Sequence, residues 1–159
     1  MLKLPVYFVS DNHFKMDVDN SEKERRGKLY HVFDQIKSTG GTLVIGGDFF
    51  DFWFNYQYVV PSGYVNLLEQ LDNLHQSGIS IHFVLGNHDY WDFGYFKEKF
   101  GANVYSKNLE FTQDNIQIQV CHGDGLLKNE IGITTHKSDF KISHNDKILI
   151  THGDGLLKH

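Results

Sequence analysis

The chain has 159 residues, 40% of them hydrophobic and 22% charged, which suits one globular domain with a real core and argues against a disordered chain. Its formal net charge of -5, with histidines neutral, argues against a stable nucleic-acid partner, although bound cations can still present positive charge to a phosphorylated ligand. A single cysteine cannot close an internal disulfide, and only one Lys and no long apolar run precede Pro5; a reducing, cytoplasmic setting without signal peptide or membrane span is expected.

In chain order, Leu4 to Val9 reads as a buried strand ending at Ser10 and Asp11. Ser21 to Lys37 predicts a helix, with Ser21 and Glu24 as a capping box and Leu29, Val32, Phe33 and Ile36 as its apolar stripe. Gly40 and Gly41 stop it, and Thr42 to Ile45 is a second strand running into Gly46, Gly47 and Asp48. After an aromatic loop, Val65 to Gln76 predicts another helix, with Leu67, Leu68, Leu71 and Leu74 on one side. Ile79 to Leu85 is a third strand, closing on Gly86, Asn87 and His88. Tyr95 to Phe100 follows as a short helix and Asn103 to Tyr105 as a further strand.

Alternating strands and helices predict an α/β fold whose sheet has a parallel component and crossover helices. In such sheets functional residues gather at the carboxyl ends of the strands, where all three polar clusters fall. From Leu109 the pattern changes to paired short strands, Leu109 to Gln113 with Ile116 to Cys121, and Phe140 to Ser143 with Lys147 to Thr151. Each pair leads into a near-identical segment, CHGDGLLK at Cys121 to Lys128 and THGDGLLK at Thr151 to Lys158. Residues 108–128 and 138–158 therefore read as tandem strand-loop repeats within one domain over residues 1–159.

Three clusters carry chemistry. Asp11 and His13, two apart in a turn, can offer a carboxylate oxygen and an imidazole nitrogen to one ion. In the second, the glycines let backbone approach closely, Asp48 can use both oxygens to bridge two cations, and Asp51 orients the loop or a ligand. In the third, Asn87 offers a carbonyl to a hard or borderline cation, while His88 suits phosphate contact or proton transfer. Each cluster alone also reads as a turn or cap. All three beyond apolar strands of one chain point to a metal-dependent hydrolase.

The series DxH, GGDxxD, GNHD and HGD resembles the calcineurin-like metallophosphoesterase superfamily. Within it, SDNHF at Ser10 to Phe14, GGDFFDFWF at Gly46 to Phe54, GNHDYW at Gly86 to Trp91 and HGDGLLK at His122 to Lys128 resemble the bacterial UDP-2,3-diacylglucosamine diphosphatase branch. That branch removes UMP from a lipid A precursor at the membrane surface. The resemblance covers about residues 1–128 and implies a layered sheet sandwich with flanking helices, here shortened.

It also implies two divalent metal ions, with Mn favoured and Fe or Zn open. Asp11 and His13 would bind one ion, Asp48 would bridge both, and Asn87 and His122 would bind the second. His88, with Asp48 and Asn87, would serve the reaction by facing the phosphate and stabilising or protonating the leaving oxygen. The family's closing GHTH segment is missing; the nearest string, Ile133 to Lys137, keeps only His136, and His152 of the second repeat is a rival ligand. Cys121 reads as a buried strand residue.

The rings from Phe49 to Tyr58 are too dense for all to face inward, so half are expected in the core. The rest, including Trp53 and Phe54, would join Tyr90, Trp91 and Phe93 as an apolar approach for an acyl chain or base, with Asp51 nearby. Lys15, Lys23, Arg25 and Arg26 would attract an anionic lipid or diphosphate, or be solvated helix residues. The expected substrate is a phosphorylated small molecule or nucleotide-lipid, met in peripheral contact with the inner membrane surface. An oligomer covering an exposed tail strand stays open. Residues 129–138 leave no room for the family's acyl-covering helices, so a catalytically impaired remnant that binds metal or phosphate is the alternative.

Overall fold

The computed structural model describes residues 2–56, 59–113, 115–122, 141–143 and 147–151, the last two as backbone strands. Tyr58, His136 and His152 lie outside the described residues, as do both HGDGLLK segments beyond His122.

Strands β1 (Val6–Val9), β2 (Thr42–Ile45), β3 (Ser80–Val84) and β4 (Asn103–Tyr105) form one parallel sheet in that order. Helices α1 (Asn20–Thr39), α2 (Val65–Gln76) and α3 (Tyr95–Phe100) make the connections. A second sheet holds β5 (Asn108–Gln113), β6 (Ile116–Cys121), β7 (Lys141–Ser143) and β8 (Lys147–Thr151) in the order β5-β6-β8-β7. Its β5-β6 and β7-β8 pairs are antiparallel, whereas β6 and β8 run parallel with Cys121 opposite Thr151.

The strand alternation explains the layering. Leu43, Ile45, Ile81 and Phe83 point to the helices and join Phe33, Ile36, Leu67, Leu71, Phe96 and Phe100 in the main core. Val44 and Val84 point the other way and pack with Leu109 and Val120 of the second sheet. Both faces of the sheet are thus covered at β2, all four of whose residues are buried, whereas β3 alternates, with Ser80 and His82 half-buried and Ile81 and Phe83 in the core. This is the expected mixed α/β sandwich.

The first helix begins earlier than its sequence suggests. Asp19, not Ser21, is the cap, and its side chain accepts from Glu22 N at 2.7 Å. Asp19 and Glu22 repeat the capping spacing two residues upstream of Ser21 and Glu24, and Glu22 is buried while Glu24 is an exposed partner of Lys28. The second helix and its four buried leucines match the expected residues. Among the described residues no helix is long and apolar enough to cross a membrane.

The centre of the aromatic core is Phe96, fully buried and stacked on Phe83 at 4.7 Å and on Phe50 at 5.5 Å. Phe96→Ala is expected to lower stability by about 3–5 kcal/mol, measured by urea unfolding, because the lost ring leaves a cavity between helix and sheet.

Candidate metal centre

Because β1, β2 and β3 are parallel, their carboxyl ends open on one edge, and three loops meet there. The first two are laced by backbone bonds: Asp11 N donates to Gly47 O at 3.0 Å, His13 N to Asp48 O at 2.9 Å and Phe14 N to Phe49 O at 3.0 Å. The third is tied to the second through Trp53 N, which donates to His88 O at 2.7 Å. Asp11, His13 and Asp48 all have left-handed backbone, with φ of 55°, 44° and 49°. Non-glycine residues held there carry about 1–3 kcal/mol of strain each, the kind of cost found where a site fixes its side chains.

Asp48 is 3% exposed and stands at the junction. Its Oδ1 accepts from His88 N at 3.0 Å. Its Oδ2 lies 3.6 Å from His13 Nε2 and 3.3 Å from His122 Nε2. One oxygen, not both, therefore faces the two imidazoles, because the other is engaged by the loop carrying His88. Gly86 makes the approach possible, since a Cβ there would sit 2.1 Å from Asp48 Oδ1. Gly47 does the same for the imidazole, as its Cβ would meet His122 Nδ1 at 2.6 Å.

Two ligand groups share this carboxylate. Around the first, His13 Nε2 is 2.7 Å from Asp11 Oδ1, and Asp11, His13 and Asp48 can offer ligand atoms within 4.8 Å of one another. Around the second, His122 Nε2 is 3.1 Å from Asn87 Oδ1. His122 Nδ1 faces the Gly46 carbonyl at 3.4 Å. His122 Nε2 thus faces two oxygens, Asn87 Oδ1 and Asp48 Oδ2. An imidazole nitrogen, an amide oxygen and a carboxylate oxygen converging in this way form a donor set that fits a divalent cation.

Burial pulls the Asp48 pKa up, but hydrogen bonds from His122 and the His88 N–H, with the charges of both histidines, bring it below the usual carboxylate value. The carboxylate is thus ready to hold a cation. His88 Nδ1 donates to the Asp51 carbonyl, leaving Nε2 as the nitrogen able to give or take a proton. His88 sits edge-on to His13, with centroids 4.6 Å apart, and His13, Asp51 and His88 form another possible ligand group.

The aromatic loop divides as burial requires. Trp53 is 1% exposed and packs on Phe50 and Phe96, so the expectation that it faces a substrate is corrected: its ring is core. Phe52, Tyr56, Tyr90, Trp91 and Phe93 are exposed. Phe54 bridges to Trp91 and contacts Phe93 at 5.9 Å, which runs these rings alongside the loop of Asn87 and His88. Arg25 and Arg26 also depart from expectation, since Arg26 is buried, Arg25 is only partly exposed, and both bond Glu22. His136 and His152 lie outside the described residues.

The strap between the second and third loops, Asp89, went unassigned by the sequence reading, though its place in GNHD was the available signal. Fully buried, it accepts from Phe49 N at 2.8 Å and Gly86 N at 2.7 Å.

Residues 4–159 match the family model for calcineurin-like phosphoesterases, and the chain belongs to that family. A protein of Porphyromonas gingivalis named UDP-2,3-diacylglucosamine hydrolase is 33% identical over 125 residues, covering 77% of this chain and 47% of that protein. One of the same name from Nitrosococcus oceani is 23% identical, covering 80% of this chain and 49% of its own length. The chain therefore spans about half the length of the curated relatives it matches. The solved structure of Yfce, a phosphoesterase from E. coli, shares the fold, with a TM-score of 0.51 at 15% identity over 92% of this chain and 77% of that one.

Burial pushes the Asp89 carboxyl up to about 6 from 3.8, against its two N–H donors and with help from the Asp48 charge. A raised acid favours the folded state below its unfolded pKa and loses that contribution as pH rises through the folded value. The metal-free protein should lose about 2–3 kcal/mol from this group between about pH 4 and pH 7. Urea unfolding at both pH values should find that slope reduced in Asp89→Asn.

Proposed function

We propose that this chain is a dinuclear metal-dependent phosphoester or pyrophosphate hydrolase whose substrate is a nucleotide-lipid of the UDP-2,3-diacylglucosamine kind. The observation that carries the reading is Asp48 Oδ2, set 3.6 Å from one imidazole and 3.3 Å from another on separate loops. Asp11 and His13 would hold one ion and Asn87 and His122 the other, with Asp48 a ligand available to both groups. Three carboxylates, Asp11, Asp48 and Asp51, would repel a phosphate from this edge unless cations reversed the sign.

When bound, two divalent ions supply Lewis-acid polarisation of the phosphoryl group and acidify a water. The chain's own contribution is placement. Asp48 fixes the spacing of the two ligand groups. Asn87 orients the phosphate, and His88, held through Nδ1 by the Asp51 carbonyl, meets the leaving oxygen with Nε2. Asp51 steadies His88 and lies within 3.9 Å of His13 Nδ1.

His136 and, as its rival, His152 are the further imidazoles proposed for the set, and both lie outside the described residues. The substrate class is supported by the name of the relatives and by the exposed rings of Phe52, Tyr90, Trp91 and Phe93 beside the site, which suit an acyl chain or a base at a membrane surface.

With Mn and bis(p-nitrophenyl) phosphate, Asp48→Asn should lower kcat on the order of 10²–10³-fold. Asp51→Asn should cost roughly 10-fold, acting through its neighbours. Equal losses of activity and of metal in the two variants would refute the bridging role. The lipid assignment has its own test in Tyr90→Ser with Phe93→Ser. This pair should raise KM for UDP-diacylglucosamine about 10-fold or more while sparing the small diester. An equal effect on both substrates would remove the aromatic shelf from substrate recognition.

A further inference from the structure

Helix α1 contributes no ligand atom to the metal centre, yet it grips the loop that carries Asp11 and His13. Glu22 and Arg26 are 2% and 4% exposed. Glu22 Oε1 accepts from Lys15 N at 3.0 Å and from Arg26 Nε at 3.0 Å, and its Oε2 accepts from Arg25 Nη1 at 2.7 Å. Arg26 donates onward to the carbonyls of Lys15 and of Gly63, the latter at 2.7 Å. Arg25 Nη2 donates to the carbonyl of Asn12, the residue between the two ligands. Both guanidiniums also lie against the Phe14 ring, 5.2 and 6.0 Å from its centroid.

Two features argue that this arrangement serves the site rather than the fold alone. The helix already docks through Leu29, Phe33 and Ile36, and a buried ion pair adds little net stability over an apolar replacement. The carbonyl that Arg25 holds sits between two strained residues, Asp11 and His13, with φ of 55° and 44°. Strain of that kind persists only where surrounding contacts over-determine the backbone. The Asn12 side-chain oxygen is buried without a hydrogen-bond partner among the described residues, so it gives the loop no anchor of its own.

We infer that Arg25, braced by Glu22, is a positioning residue that sets the affinity of the ion held by Asp11 and His13. The inference rests on the metal-binding reading of the site. Releasing the Asn12 carbonyl lets the peptide on either side relax, and His13 Nε2 leaves its place 2.7 Å from Asp11 Oδ1. Asn87 and His122 stand on the loops after β3 and β6, away from the segment that Arg25 anchors. The defect is therefore confined to one ion of two, a signature that general destabilisation does not produce.

The test is Mn titration of the full chain, followed by the EPR signal of free Mn, for the wild type, Arg25→Met, Arg25→Lys and Lys28→Met. The Arg25 side chain is 40% exposed, so its truncation is compatible with folding. Lys28, exposed on the same helix and paired with Glu24, is the control. Arg25→Met should keep one ion at wild-type affinity and weaken the other about 10- to 100-fold, with an unchanged melting temperature of the metal-free protein. Arg25→Lys should recover part of the loss and Lys28→Met should match the wild type. Arg25→Met binding both ions normally, or weakening both equally as the metal-free melting temperature falls, overturns the positioning role. Failure of the wild type to take up Mn overturns instead the metal reading beneath it.

Discussion

The Asp48 carboxylate ties this molecule's working edge together. One oxygen accepts the His88 N–H from the loop after β3, and the other faces His13 from the loop after β1 and His122 at the end of β6. Four chain segments from two sheets thus converge on one acidic group that is almost wholly removed from water. A buried carboxylate is tolerated only when hydrogen bonds and positive charge compensate its lost hydration. The glycines at 47 and 86 exist in this architecture to leave that group room, since a Cβ at either position would overlap His122 or Asp48.

The rest of the edge serves the same constraint. Left-handed backbone at Asp11, His13 and Asp48 turns the loops after β1 and β2 sharply enough for their side chains to face one another. Asp89 spans the second and third loops through two backbone donors, and the Glu22–Arg25–Arg26 group holds the first from the helix side. Strain at the centre is balanced by bonds from outside it, so the geometry does not depend on the ligands alone. That is the usual condition for a preorganised site.

Apolar and acidic surfaces lie side by side here. The buried rings Phe49, Phe50 and Trp53 fill the core under the site, while Phe52, Tyr90, Trp91 and Phe93 remain exposed next to it. Burial divides one aromatic run between the core and the surface, so exposed rings flank an acidic edge.

Much of this was legible in the sequence. Apolar periodicity located α2, α3, β2 and β4 to the residue, because helix and strand repeats are local properties of the chain. Parallel order placed the three polar clusters at strand ends, and residue types made Asp11, His13, Asp48, Asn87 and His122 candidate ligands. Tertiary structure decided the rest. Which Asp48 oxygen faces the imidazoles, that Trp53 is core and Phe93 is not, and that Arg25 and Arg26 grip the loop after β1 all depend on contacts between separate segments. Burial and hydrogen-bond partnership belong to pairs of segments, and the pattern within either segment does not contain them.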